Sequence, residues 1–148
     1  LSQEHKDFIK RYEWLGTTGY LNREEVYVAR HNSGFIAGVV IIAIPNSYVS
    51  EIDVDHQALI HRGATTSWAP KNLGSKLVMY AIRESVKNTK RRVFFAYSDP
   101  GAGEIGTIYQ ACNFTYLGHI FGTKVNYKLP NGKVVSSRYF RKTSTLKR

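Results

Sequence analysis

The segment Pro70-Lys71-Asn72-Leu73-Gly74-Ser75-Lys76 opens a helical pattern directly out of a loop. Amides at a helix start have no intrahelical partners, and with the helix dipole they can hold phosphate oxygens. Lys71, Asn72, Leu73, Gly74, Ser75 and Lys76 are therefore candidates for gripping a phosphate-bearing donor. Pro70 suits a first helical turn, since its missing N–H would be unpaired anyway. The plainer alternative is a capped amphipathic helix. Tyr109, in Gly106-Thr107-Ile108-Tyr109-Gln110-Ala111, is the next candidate. A phenol with its ordinary pKa of about 10 is a proton donor at neutral pH. As one of ten tyrosines, it could equally be a core aromatic. Asp99 follows an apolar strand pattern, and a loop with Gly101 and Gly103 joins it to the helix of Tyr109. That connection lets both side chains face one cleft.

The elements that must position these residues follow from pattern. Ser2 can cap a first helix with a partial apolar face of Phe8, Ile9 and Tyr12, ended by Gly16 and Gly19. Val26 to His31 and Phe35 to Ile44 form a hairpin across Asn32-Ser33-Gly34. Ser50 to Gln57 reads as an exposed polar loop, and Ala58 to Thr65 as the next strand. The central helix starts at Pro70 or Lys71, with Leu73, Leu77 and Ala81 on one face. Val93 to Tyr97 is short and apolar, as expected of a central strand covered on both faces. Phe114 to Phe121 and Lys124 to Leu129 read as strands, and Pro130-Asn131-Gly132 turns into a basic strand from Lys133 to Phe140. One domain over residues 1–148 is expected, with residues 119–148 as its basic hairpin and tail.

The charge is +10 and unevenly spread. No acid follows Glu104, and eight Lys or Arg lie between His119 and Arg148, with Tyr127, Tyr139 and Phe140 among them. A one-signed field of this kind favours a polyanion, foremost nucleic acid, over a merely solvated tail. Lys133, Arg138, Arg141 and Lys142 are the candidate phosphate contacts. The basic run from Lys87 to Arg92 closes a predicted helix, where cations complement the dipole. The longest apolar run, Phe35 to Ile44, is too short to span a bilayer and no membrane association is expected. No secretory signal is visible, the lone Cys112 excludes an internal disulfide, and a cytoplasmic location is expected. The five scattered histidines have no zinc-ligand spacing, so no metal site is assigned.

The order strand, kinked loop, helix, strand, loop, helix, strand over Arg62 to Gly118 resembles the donor-binding half of the GNAT acyltransferase fold. Lys71 and Gly74 match that fold's pyrophosphate loop, and Lys76 departs from its last position. The resemblance implies an α/β (α+β) fold with a single twisted, mostly antiparallel sheet, helices on both faces and a basic C-terminal β-hairpin. It implies acetyl-CoA or a related acyl donor, and a tyrosine at position 109 that protonates the leaving thiolate. A narrower likeness comes from Arg62, Ser67-Trp68-Ala69-Pro70-Lys71-Asn72-Leu73-Gly74-Ser75-Lys76-Leu77, Tyr97-Ser98-Asp99-Pro100, Gly103-Glu104-Ile105-Gly106-Thr107-Ile108-Tyr109-Gln110-Ala111, Phe114 and Leu117-Gly118. This combination resembles the Mom family of phage proteins, GNAT-fold enzymes that protect phage DNA from restriction by converting adenine N6 to a carbamoylmethyl derivative.

What that likeness implies can be set out by residue. Arg62 holds a phosphate of donor or DNA, or else forms a surface ion pair. Ser75 offers a hydroxyl to the donor, or packs its helix. Asp99 accepts a proton from the adenine amino group, or caps the turn before Pro100. Tyr109 handles a proton or fixes the donor. Trp68, with Tyr97 and Phe95, offers a surface on which a flipped base stacks. The implied partner is double-stranded DNA in the host cytoplasm. Simple acetyl transfer would give a different product, so the carbamoylmethyl group needs further chemistry or another donor. Two alternatives are a GNAT N-acetyltransferase acting on another amine and a non-catalytic nucleic-acid-binding protein on a degenerate GNAT scaffold.

Overall fold

Ser2 caps the first helix, α1 (Gln3–Tyr12), its hydroxyl accepting the His5 amide at 3.3 Å. The computed structural model describes residues 1–19, 21–45, 49–119, 126–132 and 134–136; Lys133, Arg138, Arg141 and Lys142 lie outside them. The chain divides into two compact units, Leu1–Thr115 and Tyr116–Arg148.

In the first unit β1 (Glu25–Arg30) and β2 (Ile36–Ala43) form the expected antiparallel hairpin. β3 (Gln57–Thr65) pairs antiparallel with β2, and β4 (Val93–Ala96) pairs parallel with β3, giving the order β1-β2-β3-β4. Between β3 and β4 runs α2 (Leu73–Asn88), the crossover that a parallel pair requires. Every residue of β2 is buried. Its alternation explains why all must be apolar: Val39 and Ile41 meet Phe8 and Ile9 of α1, while Val40 and Ile42 meet Leu77, Val78 and Ala81 of α2. The sheet is thus mostly antiparallel with a helix on each face, as the pattern implied. Among the described residues no helix is long and apolar enough to cross a membrane.

Several elements differ from the sequence reading. α2 begins at Leu73, because Asn72 sits in the left-handed region at φ 67 and breaks the helical path from Pro70. The polar loop after residue 50 contains a 3-10 turn, Val54–His56, capped by Asp53. β4 is half-buried throughout and is the outer strand among the described residues, so it is neither central nor fully covered. No strand forms over residues 114–119, where Tyr116 and Leu117 are exposed. Apolar and aromatic residues there supply propensity, but a strand also needs a ladder partner. In the second unit β5 (Asn126–Lys128) and β6 (Val134–Ser136) pair antiparallel, as the basic hairpin required.

The basic run after α2 splits into two roles. Arg92 donates to the carbonyls of Val86 and Thr89, as expected of a cation at a helix C-terminus. Arg91 instead is buried, 6% exposed, with its guanidinium on Glu25 of β1 and on the Arg23 carbonyl. Ser85 of α2 donates to the same Glu25 oxygen. This network ties the end of α2 to the start of β1. Arg91→Ala would leave Glu25 without its counter-charge and should cost about 3 kcal/mol, measured by urea unfolding. Arg91→Met combined with Glu25→Leu should cost clearly less, since no charge is then stranded.

Candidate active site

β3 and β4 pair only from Gln57 to Ile60 and from Val93 to Ala96. Beyond that point β3 continues to Thr65 on its β2 side, while the chain after β4 turns away. The divergence opens a cleft of about 290 Å³ between them. Gly63 to Thr65 form one wall, Gly74 and Val78 of α2 form another, and the third comes from Ser98 and residues 103–109. A β-bulge lies beside it: Ile41 faces Arg62 and Ile42 faces Ile60, which leaves His61 without a partner on β2.

The first turn of α2 borders this cleft. Asn72 makes no side-chain cap. The Leu73 amide bonds the Pro70 carbonyl, and the Lys76 amide bonds the Asn72 carbonyl. Among the described residues the amides of Gly74 and Ser75 have no backbone acceptor. The Ser75 hydroxyl donates to the Asn72 carbonyl at 3.1 Å, while Lys71 and Lys76 are exposed. Gly74 permits a close approach: a Cβ there would stand 3.2 Å from Cδ1 of Ile108 on α3 (Thr107–Ala111), a tight contact that the end of that side chain would have to relieve. Lys76 is exposed and absent from the cleft lining.

Tyr109 reaches the cleft from α3 and leans on Phe114, ring centroids 5.4 Å apart. Burial pushes its phenol up to about 12, and the nearby Glu104 carboxylate acts in the same direction. Tyr109 is therefore a neutral phenol at physiological pH. Asp99 is exposed; its Oδ1 accepts the Gly101 amide at 2.8 Å and caps the 3-10 turn Pro100–Ala102. The carboxylate that lines the cleft is Glu104, which the sequence reading passed over. Its Oε2 accepts the Asp99 amide at 3.0 Å and its Oε1 accepts the indole N–H of Trp14 at 2.9 Å. The available signal was its place as the last acid of the chain, in the same glycine loop as Asp99.

Arg62 donates from Nε to the Thr17 carbonyl at 3.0 Å and lies 3.9 Å from Glu13. It thereby fastens the segment after α1 to β3. His61 beside it donates from Nε2 to the Thr18 carbonyl, and burial holds its pKa below the usual imidazole value. Trp68 is half exposed and meets His31 edge-on at 6.0 Å, outside the cleft lining. Among the described residues no three His, Cys, Asp or Glu side chains gather as a metal site. Of the candidates, then, Gly74 and Tyr109 line the cleft. Asp99 stands behind Glu104, and Arg62 and Trp68 serve neighbouring loops.

A pH dependence follows. Tyr27 is also pushed up to about 12, first by burial and then by Glu25. A phenol kept protonated in the folded chain above its unfolded value of about 10 contributes stability that is complete below that value. The contribution is lost as pH rises toward the folded value. Unfolding stability should therefore fall between about pH 10 and 12, and Tyr109→Phe and Tyr27→Phe should each make the fall shallower. Urea titrations across that range measure it.

Solved structures with this fold include the following two. One is AAC(6')-Iy in complex with a bisubstrate analogue, CoA-S-monomethyl-acetylneamine, at TM-score 0.55 and 16% identity, covering 69% of each chain. The other is an aminoglycoside acetyltransferase, meta-AAC0020, from an uncultured soil metagenomic sample, in complex with trehalose. It matches at TM-score 0.51 and 19% identity, covering 83% of this chain and 74% of that one. The sheet is thus GNAT-like, as the sequence implied. No curated protein matches the chain. Residues 35–148, most of its length, match the Mom protein family, and to that family the chain belongs.

Proposed function

We propose that this protein is a DNA-modifying transferase that alters the N6 amino group of adenine, with carbamoylmethylation and protection from restriction as the outcome its family likeness implies. The observation that carries this reading is the cleft between the diverging β3 and β4. It joins an uncapped helix start to a neutral phenol and a carboxylate, in a chain of net charge +10.

The residues fit a donor of the acyl-CoA type. The free amides of Gly74 and Ser75, with Lys71 beside them, suit a pyrophosphate. Were such a donor bound, it would supply an activated acyl carbon on sulfur, and attack by the amino group with loss of the thiolate would give an N6-acyl adenine. A carbamoylmethyl product would need a donor that gives up a methylene carbon together with its leaving group. In either case Tyr109 would hold a proton on its phenol oxygen for the leaving group, and Glu104 and Asp99 would offer carboxylate oxygens to orient the incoming amino group. Adenine N6 is a weak nucleophile because its lone pair is delocalised into the ring, so that orientation matters. Acetyl transfer joins the new group through a carbonyl carbon, whereas a carbamoylmethyl group is joined through a methylene. The two products therefore identify the donor chemistry. Lys133, Arg138, Arg141 and Lys142, in the basic segment we read as part of the same domain, are assigned to duplex phosphates. Arg62 and Trp68 are assigned to the DNA side of the site.

Mass spectrometry of nucleosides from DNA of cells expressing the chain tests the reading. A modified adenine is expected, and Tyr109→Phe should reduce it by about 10²–10⁴-fold. Unmodified DNA alongside acetylation of a small amine would replace this reading with that of an N-acetyltransferase. Lack of any donor affinity would leave a nucleic-acid binder. For the donor, Gly74→Asp adds negative charge at the phosphate site and should abolish CoA binding in calorimetry. Gly74→Ala, which adds the same Cβ against the movable end of Ile108, should retain most of it.

A further inference from the structure

Trp14 and Glu104 are 90 residues apart in sequence and are joined by one hydrogen bond, indole N–H to Oε1 at 2.9 Å. Trp14 belongs to the segment between α1 and β1, and Glu104 to the loop after β4. The indole is 54% exposed although its single polar atom is satisfied. What it presents to water is therefore flat apolar ring. Burial would favour folding such a ring away, and the bond to Glu104 holds it beside that cleft-lining carboxylate instead. Glu104 is in turn fixed by the Asp99 amide on its other oxygen, at 3.0 Å, and lines the cleft together with Tyr109. Each carboxylate oxygen has accepted one hydrogen bond from these partners and has capacity for another. Neither tryptophan is among the residues that line the cleft; Trp14 bonds one of them, whereas Trp68 is engaged edge-on with His31.

We propose that Trp14 and Glu104 form a base-reading pair, in which the indole stacks an extruded base and the carboxylate accepts a hydrogen bond from its exocyclic amino group. The proposal rests on the reading of the acceptor as a DNA base and adds how that base is chosen. A carboxylate that can only accept favours a base that carries an exocyclic amino group. Adenine, cytosine and guanine carry one, whereas thymine and unsubstituted purine do not. Stacking on an indole favours the larger ring system of a purine. The two criteria together select an aminopurine, the class to which the proposed adenine acceptor belongs. They also bring the amino group beside Tyr109, on the cleft wall that Glu104 shares with it.

The test uses the whole chain and short single-stranded oligonucleotides that carry one adenine, guanine, cytosine or unsubstituted purine between abasic positions. The share of fluorescence due to Trp14 is obtained by difference from Trp14→Phe. The adenine oligonucleotide should quench that share and bind about 10-fold more tightly than the purine or cytosine ones. Trp14→Ala should weaken adenine binding by about 10–100-fold, the span of stacking on one aromatic ring, and Trp14→Phe should keep most of it. Glu104→Ala, which removes the acceptor, should bring adenine and purine binding together. Thermal unfolding of each variant separates lost recognition from lost structure.

Unchanged binding in a folded Trp14→Ala, or an unchanged preference for adenine over purine in a folded Glu104→Ala, would overturn the proposal. Should Glu104→Ala unfold, equal affinity of the parent for the adenine and purine oligonucleotides would overturn it just as well. Nucleoside analysis keeps the two readings apart. Adenine modified equally by the parent and by Trp14→Ala sinks this inference alone, whereas no modified adenine with the parent sinks the function on which it rests.

Discussion

The end of the β3–β4 ladder is the constraint on which the rest of this structure depends. A backbone that leaves a ladder must find other partners for its N–H and C=O groups. β3 keeps β2 on its other edge as far as Thr65, so its backbone groups on the β4 side are left facing the cleft. The chain after β4 finds partners within itself. The amides of Ala102 and Glu104 return to the Asp99 carbonyl, the Gly101 amide meets the Asp99 side chain, and the Asp99 amide meets Glu104. The cleft exists because these two paths diverge. Asp99 and Glu104 stand at its edge because they hold the second path together.

Close packing sets the depth of that cleft. A Cβ on Gly38 of β2 would lie 3.1 Å from a Thr65 methyl and 3.2 Å from a Leu77 methyl, so a larger residue would force these side chains at the β2–α2 contact to shift. Gly74 allows the same closeness between α2 and α3. These two contacts bring the uncapped start of α2 and the phenol of Tyr109 to one opening. At the far end of α2, the buried Arg91–Glu25 pair fixes the helix to β1, so the helix is held at both ends.

The charges are arranged with opposite local signs. The chain as a whole is strongly basic, and its last 30 residues, from His119 to Arg148, contain no acid. The cleft, by contrast, has the Glu104 carboxylate beside Tyr109, and Glu13 also raises the pKa of that phenol. A polyanion is drawn by the overall field, while an amino group is favoured at the cleft itself. That division suits a substrate whose backbone is anionic and whose reacting group is an amine.

The local features of this protein were legible in its sequence. The β1–β2 hairpin follows from a turn and two apolar runs. The cap at Ser2, the helix with Leu77 and Ala81 on one face, and the short helix bearing Tyr109 each follow from a few neighbouring residues. The motif phrases around Gly74 and Tyr109 were enough to identify the family and its fold. Other features were decided only by tertiary structure, because each depends on a partner far along the chain. Arg91 looked like one more helix-end cation until Glu25 gave it a buried counter-charge. Residues 114–119 have strand-forming types, yet form no strand among the described residues. Asn72 shifted the helix start through a single left-handed backbone angle that its residue type permits but does not impose. Glu104 carried only a weak signal, its place as the last acid in the loop of Asp99, because its contact with Trp14 forms only when the folded chain brings an indole and a carboxylate so distant in sequence into hydrogen-bond contact.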